Sequence, residues 1–145
     1  MFNPSEFALL AQQLAAGDLS VAVDGALPSR EARLRAAYGR AYYALYLSVR
    51  ASIVRRYRVP IRALQHGKLY THLQNSRAGD VLNDLGREME RMYTLRQKAD
   101  YDLSPSSPWQ RRLTNSELIL LLARQAAALA SSAENLDFTP ILHLF

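Results

Sequence analysis

The sequence contains no cysteine, which excludes disulfide bonds and thiolate-bound metals. Only three histidines are present, and none stands in the HExxH spacing of zinc hydrolases. Glycine and proline are sparse, with six of each among 145 residues, which argues against a sheet protein with many tight turns. No run of about 18 apolar residues is available to span a membrane. The composition therefore predicts a soluble, all-helical protein without a metal or other cofactor.

The motifs of several large enzyme classes are missing as well. There is no GxxxxGK[ST] phosphate loop, no GxGxxG loop and no GxSxG nucleophile turn. Asp84 and Glu88 stand one helical turn apart, but no ExxH partner accompanies them, and acids early in a helix complement its dipole. The chain begins with MFNPSEFALLAQQL, which lacks the basic region and apolar run of a signal peptide. We therefore expect a cytoplasmic protein.

What the chain does contain is a strong helical periodicity. The pattern predicts main helices over about 5–16, 29–57 and 81–101, a short helix near 67–75, and a last helix running to about Asn135. Short connections between helices favour an antiparallel up-down bundle of four main helices plus the short one. We expect one domain over 1–145, with a core of about 5–137 and an apolar tail, 138–145, that packs on the bundle or meets a partner.

The ends and buried faces of these helices can also be predicted. Breakers at Gly25 and Pro28 mark residues 18–28 as a connection. The residues expected to cap the helices are Ser5, Ser29, Asp80 and Thr114. The residues expected on the core face of the second helix are Leu34, Tyr38, Ala41, Tyr42, Leu45, Val49, Ser52 and Ile53. Those expected on the core face of the last helix are Leu118, Leu121, Leu122, Ala126, Leu129 and Ala133.

Positive charge is concentrated in one part of the chain. Residues 30–62 carry nine arginines and a single acid, Glu31, a balance of +8, whereas residues 63–145 carry nine basic and nine acidic side chains. Such an arginine field suits phosphate or nucleic acid, but it equally suits a solvated helix face. Trp109, in the sequence WQRR, has two interpretations of the same kind: it anchors the preceding SPSSP loop, or it stacks on a nucleic acid base.

Tyr43, Leu47 and Arg50 form a second strip on the long helix, turned away from its core face. Two large apolar groups there need cover. Either a loop or another helix packs over them, or Tyr43 and Leu47 form a self-association face, which we favour.

Arg96 is the least expected residue of the sequence because it interrupts an apolar stripe. Leu85, Met89 and Met92 define that stripe, and Asp100 follows Arg96 one turn later on the same side. A charge aimed at a core is costly unless it is paired or used. One interpretation is a structural Arg96–Asp100 ion pair, and the other is a guanidinium that binds phosphate at a helical seam.

Three segments and the last helix together carry a family resemblance. They read RAAYGRAYYALYLSVRA at 35–51, LQHGKLYTHL at 64–73 and LRQKADYDL at 95–103, followed by a helix rich in leucine and alanine. This order is similar to that of the HEPN superfamily, and more narrowly resembles small bacterial members with an (S/G)RAYYA helix and a late R-x-x-ADY motif. The resemblance covers about residues 5–137. It implies a helical bundle, usually a homodimer, from a family rich in RNases of toxin–antitoxin, anti-phage and CRISPR-associated systems.

The resemblance also assigns residues. Arg96 matches the arginine of the family's catalytic R-x(4–6)-H motif, but Tyr101 stands where an R-x4-H protein has its histidine. His66 or His72 would have to supply an imidazole from the short helix, with Asp100 as the nearest carboxylate. Tyr101 is a poor base, since the pKa of tyrosine is about 10. In members paired with a nucleotidyltransferase, a tyrosine near this motif can be the residue modified.

Two functional hypotheses follow for a protein of a prokaryotic defence or toxin–antitoxin module. In the first, a dimer seam with Arg96, Asp100 and Tyr101 engages RNA or nucleotide phosphate and cleaves RNA without a metal. Further phosphate contacts in this hypothesis come from Arg40, Arg33 and Lys98. In the second, the domain is a non-catalytic binding or assembly subunit. Its partner in either case could be a nucleotidyltransferase antitoxin or another defence protein. A purely structural helical adaptor is a third possibility.

Overall fold

The computed structural model describes residues 3–17 and 29–145, and within those ranges it contains helices and no strand. The α-helices are α1 (Ser5–Ala16), α2 (Arg30–Tyr57), α3 (His66–Leu73), α4 (Asp80–Tyr101), α5 (Gln110–Leu113) and α6 (Ser116–Ser132). Short 3-10 helices span Ile61–Ala63, Ala133–Asn135 and Thr139–Leu144. The predicted all-α class is thereby confirmed. The connection predicted over 18–28 lies outside the described residues.

The long helix α2 is the centre of the bundle. It packs against α1, α4 and α6, while α1 also packs on α6 and α3 on α4. All eight residues predicted for its core face are buried, so the periodicity located that face correctly. A buried stripe from Leu34 to Ile53, along a helix of 28 residues, lets α2 hold three neighbours in place.

Local sequence signals explain where most helices begin and end. The Ser29 hydroxyl accepts the Ala32 amide at 3.1 Å and so caps α2 as predicted. Gly17, at φ +77°, ends α1 in the left-handed conformation that favours glycine. The predicted capping role of Asp80 is wrong, because Asp80 is the first helical residue of α4 and Gly79 occupies the cap position. The helix α1 begins at Ser5, with Pro4 at its cap position.

Thr114 was also expected to be a cap, and this prediction is wrong. Asn115 caps α6 instead, with its side-chain oxygen 3.1 Å from the amide of Glu117 and 3.2 Å from that of Leu118. The short helix α5 ends directly before Thr114. Thr114 is therefore the residue that ends α5, where its hydroxyl donates back to the Gln110 carbonyl at 2.9 Å, and the cap position of α6 falls one residue later.

The predicted core face of α6 is partly wrong. Leu122, Ala126 and Ala133 are buried as expected, but Leu118 and Leu121 are 47% and 63% exposed. The buried stripe is instead completed by Ile119, Ala123 and Ala130. Leucine and isoleucine occupy every position from 118 to 122, so hydrophobicity alone does not distinguish the inner from the outer face there.

The C-terminal tail packs back on the bundle, one of the two predicted outcomes. Phe138 and Ile141 are fully buried, and the Phe145 ring meets the His72 ring edge-on at 5.2 Å. The Phe138 amide donates to the Tyr57 hydroxyl of α2 at 3.1 Å, and just before the tail Arg56 donates to the Leu136 carbonyl at 2.7 Å. The tail is thus held to α2 and α3 by both apolar and polar contacts.

Close contact between α3 and α4 depends on Gly86. A Cβ atom at this position would lie 2.8 Å from the Leu73 Cβ and 2.9 Å from the Tyr70 carbonyl oxygen, closer than van der Waals contact allows. This approach fixes α3, and with it His66 at its start, beside α4.

Within the described ranges, none of the helices combines the length and the apolar character that crossing a membrane requires.

Candidate anion-binding site

Arg96 lies at the seam between α4 and α2, with its side chain 17% exposed. Its Nε is 3.0 Å from an Asp100 carboxylate oxygen, and its Nη2 donates to the Tyr43 hydroxyl at 3.2 Å. The guanidinium carbon lies 5.5 Å from the ring centroid of Tyr43 and 6.0 Å from that of Tyr93. The charge that the sequence aims at the core is thus held between two aromatic rings and one carboxylate.

The contact with Asp100 is an ion pair of imperfect geometry. Arg96 Nε is buried and finds no aligned hydrogen-bond acceptor among the described residues, although the carboxylate is close. The Asp100 side chain is 38% exposed, so water competes for it. Asp100 therefore balances the charge of Arg96 without using all of its donors.

His66, the first residue of α3, stands in a cluster of tyrosines. Its ring centroid is 4.0 Å from that of Tyr46, 5.5 Å from Tyr42 and 5.8 Å from both Tyr43 and Tyr93. Three of these tyrosines come from α2 and one from α4. Because Tyr43 and Tyr93 also flank the Arg96 guanidinium, the imidazole and the guanidinium lie beside the same two tyrosine rings.

The Tyr42 hydroxyl and His66 Nδ1 are 2.5 Å apart. Burial raises the pKa of Tyr42 well above its usual range, so this hydroxyl keeps its proton near neutral pH. Burial also lowers the pKa of His66, with smaller contributions from the positive charges of Arg96 and Arg50. We therefore assign a neutral imidazole whose Nδ1 accepts from Tyr42 and whose Nε2 carries the proton.

Arg50 is a second cation beside this histidine, and the sequence did not single it out as a site residue. Its guanidinium carbon lies 5.3 Å from the Tyr46 ring centroid, and its charge helps to lower the pKa of His66. Within the described part of the chain it has no carboxylate partner. We define the Arg96 site as Arg96, Arg50, His66, Tyr43 and Tyr93. Two guanidiniums and an imidazole N–H in a half-buried setting are suited to binding an oxyanion.

The structure separates Tyr101 and Lys98 from Arg96. Tyr101 is 75% exposed, and it lines a depression of about 360 Å³ together with Lys98 and Asp102. At 100° per residue, Tyr101 projects about 140° away from Arg96 around the helix. Lys98 Nζ lies 5.8 Å from the ring centroid of Trp109 instead. Of the residues assigned to catalysis, only Arg96 and Asp100 are together.

The remaining predicted site residues lie along α2. Arg40 is exposed, with its guanidinium carbon 5.1 Å from the Phe7 ring centroid, and Phe7 is 6.2 Å from the Tyr43 ring. Arg40 thus lies at the edge of the Arg96 site. Arg33 instead reaches the Leu14 carbonyl at 3.5 Å, at the end of α1.

Two further predictions concerned the strip on α2 and a second histidine. Tyr43 and Leu47 are half-buried and pack against the core, and Tyr43 is partly covered by Phe7 of α1. His72 lies in the last turn of α3 beside Phe145, where burial and then Lys68 lower its pKa. His66 is therefore the histidine that α3 brings to Arg96.

Arg35 is the buried arginine that sequence reasoning missed. It is 8% exposed, and its Nη1 donates to the carbonyls of Ala99 at 3.0 Å and Asp102 at 2.7 Å. Its Nη2 donates to the Gln110 side-chain oxygen at 2.9 Å, and Nε pairs with Glu31 at 3.0 Å. The last carbonyls of α4 have no partner within their own helix, and Arg35 supplies one. The Glu31–Arg35 spacing of four residues was the available sequence signal.

Other members of the arginine field also make contacts within the protein. Arg30 donates to the Thr114 carbonyl at 3.1 Å, Arg55 pairs with Glu134, and Arg56 donates to the Leu136 carbonyl at 2.7 Å. The arginines of the field whose guanidinium makes no hydrogen bond or ion pair with the described residues are Arg40, Arg50, Arg58 and Arg62. The field is therefore partly a set of ties between α2 and its neighbours, and only its remainder is free to bind an anion.

The acids at the start of α4 pair with arginines on the same helix. Asp84 is 3.5 Å from Arg87, and Glu88 is 2.8 Å from Arg91. Across residues 3–17 and 29–145, no three histidine, aspartate or glutamate side chains converge as ligands of a metal ion would.

Comparison of the chain with protein-family models, curated proteins and solved structures gives no match. The resemblance to the HEPN superfamily therefore rests on the motifs in the sequence, and the site's function has to be argued from its own chemistry.

Proposed function

We propose that this protein is a HEPN-type domain that binds RNA or nucleotide phosphate at the Arg96 site, within a prokaryotic defence or toxin–antitoxin module. The observation that carries the proposal is the position of His66. This imidazole, absent from its expected place on α4, lies beside the same two tyrosine rings as Arg96, and the charges of Arg96 and Arg50 both act on it. An arginine of the family motif and two further nitrogen donors thus belong to one site.

Arg96 retains donors for a phosphate while it is paired. A guanidinium has five N–H groups, and Asp100 and Tyr43 engage only Nε and Nη2. Nη1 has no hydrogen-bond acceptor in the described ranges. A phosphate oxygen could bind there while His66 Nε2–H and Arg50 contact other oxygens of the same group. The tyrosine rings on either side would then limit water around the ion pairs and strengthen them.

Binding is better supported than cleavage. Metal-independent RNA cleavage needs a base for the 2′-hydroxyl, and in the assigned tautomer His66 carries its proton on the nitrogen that is not bonded to Tyr42. His66 could act as a base only after that hydrogen bond reverses its direction. Arg96 would then stabilise the negative charge that develops on the phosphorus-bound oxygens.

The alternative function is a non-catalytic binding or assembly subunit. It is favoured by the Arg96–Asp100 pair, which neutralises the arginine without any ligand. In this alternative the half-exposed strip with Tyr43 and Leu47 forms a homodimer face. The assembled protein would then hold a nucleotidyltransferase antitoxin or another defence protein.

Anisotropy of a labelled single-stranded RNA, titrated with protein at several salt concentrations, tests the binding proposal. We expect Arg96→Met and Arg50→Met each to weaken binding by about tenfold, the effect of about 1.4 kcal/mol. Each should also reduce the slope of log K against log salt by about one contact. The matched control is Arg124→Met, an exposed arginine on α6 that lies outside both the site and the arginine field. Equal affinities for all four proteins, or a flat salt dependence, would exclude phosphate binding at the Arg96 site.

A second experiment separates binding from cleavage. Total RNA and tRNA are incubated with wild type, Arg96→Met and His66→Gln in the presence of a chelator. Binding without degradation is the expected result. Degradation by wild type alone would make the Arg96 site a ribonuclease centre, whereas equal degradation by all three would indicate a contaminating nuclease.

Light scattering of wild type and Leu47→Asp tests the dimer, which should dissociate in the variant.

A further inference from the structure

A second cavity, of about 580 Å³, opens between α2, α4, α5 and α6. Arg91, Thr94 and Leu95 line it from α4. At 100° per residue, Thr94 points about 160° away from Arg96 around the helix, so this cavity and the Arg96 site lie on different sides of α4. Its size lies within the range of about 300–1,000 Å³ that is typical of small-molecule sites.

The cavity wall is apolar on its buried side and along α6. Leu95 and Leu122 lie at its buried side, and Leu118 and Leu121 form the wall contributed by α6. The last two are the leucines that were expected in the core and are exposed instead. An apolar group seated in the cavity would remove both from water, at about 25 cal/mol per Å² of apolar surface covered.

The rim is cationic. Arg112 has no acidic partner within the described part of the chain, and its guanidinium carbon lies 5.5 Å from the Trp109 ring centroid. Arg91 is paired with Glu88 and donates to the Gln125 side-chain oxygen at 3.2 Å. No carboxylate is among the described residues that line the cavity. One uncompensated positive charge therefore stands at the mouth of an apolar space.

Tyr38 at the cavity wall lies near both of the arginines that line this space. Its hydroxyl donates to the Arg112 carbonyl at 2.6 Å and so ties α5 to α2. Burial raises the pKa of Tyr38 to about 12, and the positive charges of Arg112 and Arg91 oppose that rise. Both cations are thus near enough to act on one oxygen atom at the wall.

Stacking of Trp109 on a nucleic acid base was one interpretation of the WQRR sequence, and it stays a prediction. In the structure Arg112 and Lys98 lie over the ring, at 5.5 and 5.8 Å from the centroid. The contact with the ring orients Arg112, as a cation–π contact does.

We propose that this cavity, the Trp109 cavity, binds a small organic anion whose apolar body lies among the leucines of α6 and whose carboxylate or phosphate pairs with Arg112. A charge-assisted hydrogen bond from arginine would fix the head group, and the leucines would select an apolar body. The proposal does not depend on the function of the Arg96 site, because the two sites share no residue.

The protein contains its own reporter, since Trp109 is the single tryptophan of the chain. The intact protein is titrated with octanoate, octyl phosphate and the neutral octanol, and tryptophan fluorescence is followed. We expect saturable changes with one or both anions and binding at least about tenfold weaker for octanol, since octanol lacks the charge–charge contact. Comparison of the two anions shows whether the site prefers carboxylate or phosphate.

Two adjacent arginines provide a matched pair of variants. Arg112→Gln should weaken binding of the preferred anion by about tenfold and leave octanol unchanged, because only the head-group contact is lost. Arg111→Gln, an exposed residue that does not line the cavity, should behave as wild type. Leu121→Asp should weaken all three ligands, and its far-ultraviolet circular dichroism should match wild type because Leu121 is exposed.

Three results would overturn the proposal. The first is equal binding of octanol and the anions, and the second is an equal loss in Arg111→Gln and Arg112→Gln. The third is no saturable signal by fluorescence and no heat by calorimetry. A dimer that light scattering detects with no ligand bound, and that dissociates in Leu121→Asp, would also overturn the proposal, because a second copy of the chain would then cover the exposed leucines.

Discussion

Arg35 and Arg96 lie along the same seam between α2 and α4, yet their surroundings differ. Arg35 is 8% exposed and donates to three backbone carbonyls and a side-chain amide, in addition to its pair with Glu31. The Arg96 side chain is 17% exposed, pairs with Asp100 and donates to a single hydroxyl, that of Tyr43. One guanidinium is saturated by the fold, and the other keeps donors for a ligand.

The difference teaches which arginine the fold requires. The carbonyls at the end of α4 have no partner within the helix, so the structure would lose hydrogen bonds if Arg35 were removed. Removal of Arg96 would release an exposed carboxylate and a tyrosine hydroxyl, which water can satisfy. A buried arginine whose donors all have hydrogen-bond acceptors in the protein is a structural residue. An arginine that keeps free donors beside other cations is a candidate for anion binding.

The largest expected effect is that of Arg35→Met. We expect the free energy of unfolding, measured by urea denaturation, to fall by about 3 kcal/mol because buried carbonyls lose a charged donor. Arg62→Met, at an exposed position, should change it by less than about 0.5 kcal/mol. Similar losses for the two variants would mean that Arg35 is not a structural tie.

Arg96→Met should have an intermediate effect, a loss of about 1 kcal/mol, since methionine retains the packing of the stem and only a partly exposed pair is removed. The same variant should lose RNA affinity, which Arg35→Met should retain while it is folded. If Arg96→Met unfolds as readily as Arg35→Met and still binds RNA, the contrast between the two arginines fails and Arg96 is structural.

A smaller effect is expected from pH, through His66. Burial, Arg96 and Arg50 hold its pKa below the unfolded value of about 6.5, so the unfolded chain binds the proton first. This contribution to stability is complete above about pH 6.5 and is lost as pH falls toward the lowered folded pKa. Urea midpoints at pH 7.5 and 5.5 should therefore differ less in His66→Gln than in wild type.

The variant for comparison is His72→Gln, because the pKa of His72 is also lowered, by burial and by Lys68, and this histidine lies outside the tyrosine cluster. Each single variant should remove part of the pH dependence. An unchanged difference in His66→Gln would show that His66 does not titrate inside the tyrosine cluster.

The smallest effect on stability should come from Asp100→Asn. Its side chain is 38% exposed, so we expect a change within about 0.5 kcal/mol in urea denaturation. RNA affinity should rise, since Arg96 loses its competing carboxylate. If the free energy of unfolding falls by more than about 1 kcal/mol and RNA affinity is unchanged, the Arg96–Asp100 pair is a structural contact, like those of Arg35.

Much of the helical framework was predictable because its signals are local. Ser29 caps α2, Gly17 ends α1, and the period of the apolar residues identifies the core face of α2. The prediction failed where local signals were ambiguous. Every position from 118 to 122 is leucine or isoleucine, and Thr114 ends the short helix α5, which the capping pattern does not reveal.

The candidate site was predictable only in part. Arg96 and Asp100 lie on one helix, so helical geometry alone predicted that they meet. The same geometry separates Tyr101 from them. His66 and Arg50 could not be placed, because their proximity to Arg96 depends on how α3 docks beside α4 through Gly86.

The sequence by itself determined that this protein is helical, where most helices begin and end, and that a charge would face the seam of α4. Tertiary structure alone decided which arginine is saturated and which is left with free donors. Apart from Glu31 one turn away, the partners of Arg35 are 63 to 75 residues away, at the end of α4 and on α5. Such contacts have no signature in periodicity or local spacing, because they exist only once the helices have packed.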